Sequence, residues 1–130
     1  MGSTKNLVLP LLASAVIGSV GGGLGVQQAK TAPGYVIAEV EVTDPAAMQK
    51  YGQRVPGTLE PFQGHFHYLV RTSSARGLEG EAPRGIVIIA FDSVRQAQEW
   101  YESPAYQAIK PIRQSAAKSR IFIAEGIASQ

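Results

Sequence analysis

The chain has 130 residues, no cysteine and a formal net charge of +2, with 45% hydrophobic and 17% charged residues. That size allows one domain plus an extension, and the composition fits a folded chain rather than a disordered one. Missing cysteine excludes disulfides, thiolate nucleophiles and cysteine-bound zinc, and the basic residues, scattered from Lys30 to Arg120 without a run, give no stripe of the kind that neutralises nucleic-acid phosphates, so no nucleic-acid partner is expected.

Residues 1–29 are read as an export signal. Lys5 supplies a positive start, and no charge follows from Asn6 to Val26, the layout of a secretory signal peptide. Cleavage is expected between residues 25 and 32, which makes the protein exported and periplasmic. The rival is an uncleaved membrane anchor, because the uncharged stretch approaches the roughly 20 residues that span a bilayer. Pro10 and the Gly21-Gly22-Gly23 cluster interrupt a continuous helix and favour the signal. Only a retained segment brings a membrane partner.

Residues 30–34 form a linker to a domain over 35–127, with 128–130 as a tail. Tyr35 to Val42 alternates as a strand, Val36, Ala38, Val40 and Val42 on one face and Tyr35, Ile37, Glu39 and Glu41 on the other. Thr43-Asp44-Pro45 opens a helix whose buried stripe is Ala47, Met48, Tyr51 and Val55. Pro56-Gly57 is expected to interrupt it before a short helical turn over Thr58 to Phe62. His65 to Arg71 is a second strand, with Phe66, Tyr68 and Val70 on one face and His65, His67, Leu69 and Arg71 on the other. Thr72 to Arg84 reads as a loop. Gly85 to Phe91 is apolar on both faces, as in a central strand.

Two helices follow in the run from Phe91 to Tyr106. Ser93 and Gln96 have capping-box spacing, and Ser103-Pro104 is a second start signal. Pro111 predicts a kink or break near Lys110, since proline removes a helical hydrogen bond and crowds the preceding turn. Arg120 to Gly126 is the last strand.

Strand, helix, strand, strand, helix, strand is the split βαβ pattern of an α+β, ferredoxin-like βαββαβ protomer. Right-handed crossovers put the first and third strands at the centre of a four-stranded antiparallel sheet. Both helices then cover one face. The other carries Tyr35, Ile37, Leu69, Ile86 or Val87, and Ile121 or Phe122, too apolar for water, beside Glu39, Glu41, His65, His67 and Arg71. A second copy packed sheet to sheet accounts for the apolar part, so a homodimer is expected.

YVIAEVEVTDP, the LEGE around Glu79, FDSVRQAQEWYESPAYQ and the closing IFIAEG resemble the domain of unknown function 1330 family. Its most specific part is the Trp-Tyr-x-Ser-Pro-x-Tyr run, followed by Arg113. The resemblance spans about residues 34 to 127 and implies a dimeric α+β barrel without an established reaction. Where members commonly have a paired glycine before the second strand, this chain has Gln63-Gly64 followed by His65-Phe66-His67. Thr72-Ser73-Ser74 replaces a short glycine-rich turn.

The candidate ligand-binding residues are Tyr51, His65, His67, Arg71, Trp100, Tyr106 and Arg113. His65 and His67 offer half a metal site, which Glu39, Glu41 or Glu125 would have to complete; exposed strand histidines are the simpler reading, and neither a metal nor a cofactor is expected. Arg71 is expected to form an internal ion pair with Glu39 or Glu41, ahead of binding a ligand carboxylate. Tyr51, Trp100, Tyr101 and Tyr106 are packing residues or line an aromatic pocket between helices and sheet. Arg113 is expected to pin the loop at Glu79 and Glu81. The primary reading is a binder of a small organic molecule. One alternative is a small cofactor-independent enzyme, monooxygenase- or isomerase-like, with His67 as base and Arg71 as anion clamp; another is a non-catalytic structural module.

Overall fold

The computed structural model describes residues 31–129; the expected signal segment lies outside the described residues. Nine alternating residues make β1, Gly34–Val42. Asp44 caps α1, Pro45–Leu59, by accepting from the Ala47 amide at 3.1 Å, and Pro45 fills the first turn, where no amide is needed. One 3-10 turn, Glu60–Phe62, leads through Gly64 at φ 82° into β2, Phe66–Thr72. After the loop over 73–84 come β3, Gly85–Phe91, α2, Val94–Glu102, α3, Pro104–Ala116, and β4, Ala117–Glu125.

The sheet is antiparallel with the order β2-β3-β1-β4, so β1 and β3 are central as expected. Residues directly opposite in an antiparallel ladder share a face, and the registers therefore sort the sheet into rows. The row Tyr68, Ile89, Val36, Ile123 and the row Arg71, Val87, Ala38, Ile121 face the helices. The row Val70, Ile88, Ile37, Phe122 crosses the opposite face on all four strands and is wholly apolar. Val36, Leu59, Ile89, Phe91, Trp100 and Tyr106 are buried between the helices and the first of these faces.

Ser103 joins α2 to α3. Its hydroxyl donates to the Trp100 carbonyl at 2.7 Å and accepts from the Tyr106 amide at 3.2 Å, ending one helix and starting the next. Only half of the capping box forms at Ser93. The hydroxyl accepts from the Gln96 amide at 3.1 Å, but the Gln96 side-chain oxygen is buried without a partner among the described residues. Gly34 is required by the approach of α2: an added Cβ would lie 2.5 Å from the Val94 Cα.

Three expectations are corrected. Pro56 does not interrupt α1, and Pro111 does not break α3; both helices run through their prolines. Each proline is exposed, so the carbonyl that the missing amide leaves free is open to water, and the helix can continue past it. The third correction concerns β2, whose register shifts between Tyr68 and Val70. One extra residue in a strand turns everything after it to the opposite face. His67, opposite Ala90, keeps to the outer face, while Arg71, opposite Val87, turns to the helix side.

Candidate functional site

A cavity of about 250 Å³ lies between α1 and the helix-side face of the sheet. The central rows supply its apolar floor through Val36, Ala38, Val87, Ile89 and Ile121, and α1 supplies Met48, Tyr51 and Val55. Trp100 from α2, Arg113 from α3, and Tyr68 and Arg71 from β2 complete the wall. An apolar cleft with a few polar groups aimed into it is the usual form of a small-molecule site.

Each polar group is positioned by the fold. Trp100 stacks on Phe91 at 5.6 Å between ring centres, and its indole N–H donates to the Thr58 hydroxyl at 2.9 Å. Thr58 in turn donates to the Val55 carbonyl at 2.6 Å, which leaves the buried hydroxyl satisfied on both sides. The Tyr51 and Tyr106 hydroxyls lie 2.7 Å apart, and Arg113 donates from Nε to the Tyr106 oxygen at 3.2 Å and from Nη1 to Ser119. Arg71 lies over the Tyr68 ring, 4.9 Å from its centre.

Arg113 is 4% exposed, and among the described residues no carboxylate pairs with it. Burial works against its charged form, but the oxygens of Tyr106, Tyr51 and Tyr101 outweigh that and the guanidinium holds its proton more firmly than usual. Burial first, then Tyr106, pushes the Tyr51 hydroxyl far above the ordinary tyrosine range, against the opposing pull of Arg113. Tyr51 is therefore a neutral hydrogen-bond donor at any pH the protein meets.

The expected site residues separate into two groups. Tyr51, Arg71, Trp100 and Arg113 line the cavity, with Tyr106 directly behind Tyr51. His65 and His67 are elsewhere. His65 Nδ1 meets the Asp92 carboxylate at 2.6 Å, tying the start of β2 to the end of β3, with both side chains more than half exposed. His67 lines a shallow hollow on the outer face with Tyr35, Leu69 and Ala90. The expected convergence of His67 with Arg71 does not occur, because the bulge separates them onto opposite faces. Among the described residues, no group of three or more histidines and carboxylates gathers in metal-binding reach.

Two ion-pair expectations are also corrected. Glu39 pairs with Arg120 across β1 and β4, both oxygens at 3.0 Å, instead of with Arg71. Arg113 reaches Tyr106 and Ser119 instead of the loop at Glu79 and Glu81, since its position on α3 points it inward beneath Tyr51. A larger hollow of about 500 Å³ beside Glu39, Glu81, Arg84 and Arg120 is open to solvent, and its charges of both signs largely cancel. Sequence reasoning missed Tyr68, Met48 and Val55 as cavity walls, along with the bulge. The signal for the bulge was Tyr68-Leu69-Val70, three consecutive apolar residues that break strict alternation.

The family model described as Domain of unknown function (DUF1330) matches residues 33–127. Among solved structures, a protein of unknown function from Rhodopseudomonas palustris is similar at 15% identity and a TM-score of 0.62, over 89% of this chain and 97% of that one. A dimeric ferredoxin-like protein of unknown function from Thermobifida fusca is similar at 12% identity and a TM-score of 0.55, over 75% and 94%. A cofactor-independent oxygenase from Streptomyces nogalater is similar at 12% identity and a TM-score of 0.53, over 77% and 95%. No curated protein matches the chain. At such identities the likeness shows the fold, a ferredoxin-like α+β domain.

Proposed function

This chain belongs to the domain of unknown function 1330 family, and from that premise we propose that it is an exported homodimer that holds a small organic molecule in the cavity between its helices and its sheet. The carrying observation is the cavity itself: about 250 Å³ of mostly apolar wall with Tyr51, Trp100, Arg71 and Arg113 on it. A buried guanidinium without a carboxylate beside it costs desolvation that packing alone does not return. A ligand offsets that cost.

Self-association rests on the outer sheet face, where the Val70, Ile88, Ile37, Phe122 row meets water in a lone protomer and Leu69 is 49% exposed. An apolar stripe flanked by the Glu39–Arg120 pair suits a self-complementary sheet-to-sheet contact. The Thermobifida fusca neighbour is described as dimeric, in keeping with this arrangement. Export rests on the charge layout of residues 1–29. The Streptomyces nogalater neighbour is an oxygenase, but a shared fold does not carry a reaction over.

Native mass spectrometry of gently purified full-length protein tests the reading. The expected species is a dimer of chains shortened at the N-terminus, carrying additional small-molecule mass that is released on unfolding. A monomer that retains Met1 would overturn the export and dimer parts together.

A further inference from the structure

The hydrogen-bond directions inside the cavity wall are determined by chemistry. Arginine has only donors, so the Tyr106 oxygen accepts from Arg113 Nε. Tyr106 is fully buried, and its own proton has one acceptor in reach among the described residues, the Tyr51 oxygen at 2.7 Å. A buried hydroxyl proton left without an acceptor is expensive, so Tyr106 donates to Tyr51. Tyr51 has then accepted from its neighbour, and its own O–H is left to donate into the cavity that it lines. The order Arg113 to Tyr106 to Tyr51 is a one-way donor chain with a cation at its head, and each link strengthens the next.

The charge balance points the same way. Two guanidiniums, Arg71 and Arg113, line the cavity, and among the described residues no aspartate or glutamate does. Nine-tenths of Arg113 and more is buried. The remaining wall is aliphatic and aromatic, which suits a monoanion with an apolar body better than a strongly hydrated phosphate dianion. We infer that the cavity takes a small monocarboxylate with an apolar body no larger than a substituted ring, its carboxylate accepting from Tyr51 and facing the two arginines. This rests on the proposed ligand-binding reading and assigns the ligand's chemical class.

The test titrates full-length protein with benzoate and with its neutral isostere benzamide, following Trp100 indole N–H shifts by NMR and affinity by calorimetry. Benzoate is expected to bind about tenfold more tightly, since hydrogen bonds to a charged acceptor exceed those to a neutral one by about that factor. Tyr51→Phe is expected to erase most of that preference. Arg71→Gln, at an exposed position, is expected to weaken benzoate several-fold and benzamide less. Equal affinities for the two probes, or an unchanged preference in both variants, would overturn the carboxylate inference and leave the cavity a ligand site. Absence of any Trp100 shift with either probe at millimolar concentration would overturn both.

Discussion

Trp100→Ala is expected to remove about 3–5 kcal/mol of folding stability, the range for truncating a large buried aromatic side chain. Trp100 is 2% exposed and sits at the junction of every layer. It stacks on Phe91 of β3, packs 4.4 Å from the Tyr106 ring of α3, and bonds to Thr58 of α1. Truncation therefore enlarges the cavity it borders and leaves the Thr58 hydroxyl without its indole donor. Against a total of about 5–15 kcal/mol for a domain, that loss is a large share. Urea unfolding followed by circular dichroism at fixed protein concentration measures it, since the proposed association would stabilise the folded form. Thr58→Val, which keeps the packing and strands the indole N–H, is expected to cost about 1–3 kcal/mol. A Trp100→Ala loss below that of Thr58→Val would show that the ring is not what joins the layers.

Ile88→Lys is expected to turn the proposed dimer into a monomer without unfolding it. Ile88 lies at the middle of the apolar outer row, opposite Ile37 on one side and Val70 on the other. In a lone protomer the lysine reaches water and costs little. In a sheet-to-sheet dimer it is a buried unpaired charge, about 3–5 kcal/mol, and two-fold symmetry counts it twice. The dissociation constant should rise more than about a thousandfold, read by sedimentation equilibrium, with the thermal transition of the monomer still cooperative. A dimer that survives Ile88→Lys unchanged would place the contact on another surface.

Much of the fold was legible because the local signals agree with one another. β3 was read at its observed bounds, Gly85–Phe91, because GIVIIAF is apolar in both phases and the cap Ser93 follows two residues later. The Ser103-Pro104 restart was equally readable, since serine and proline there each have a single structural reason. The prolines misled for a definite cause. A rule about hydrogen bonds lost inside a helix does not say which side of the helix faces water, and both Pro56 and Pro111 are exposed. β2 was misread at the bulge because strict alternation was carried through Tyr68-Leu69-Val70, where three apolar residues in a row leave the phase open and the partner strand sets it.

The candidate site was half legible. Tyr51, Trp100 and Tyr106 were expected as an aromatic group between helices and sheet, and the structure brings them together with Arg113. Arg113 follows Tyr106 by seven residues, two helical turns, and the unbroken α3 keeps the two on one face, which the expected break at Pro111 had left open. The assignment of His67 as a partner of Arg71 depended on a shared strand face, and it fell with the bulge. What remains is a cavity whose charged groups are two guanidiniums, with Tyr51, Tyr68 and Trp100 as its other polar side chains.

Trp100 is the one tryptophan of the chain and lines the cavity, so its emission reports directly on what enters. The decisive comparison is Trp100 fluorescence of the wild type and of Ala38→Leu, each titrated with a set of small aromatic and aliphatic acids. Ala38 stands on the cavity floor, and a leucine there fills the space from the central strand without touching Arg113 or Tyr51 in sequence. The account predicts saturable emission changes in the wild type that are lost in Ala38→Leu, with folding stability kept. No saturable change in the wild type, or the same change in both proteins, would contradict the claim that this cavity is a binding site.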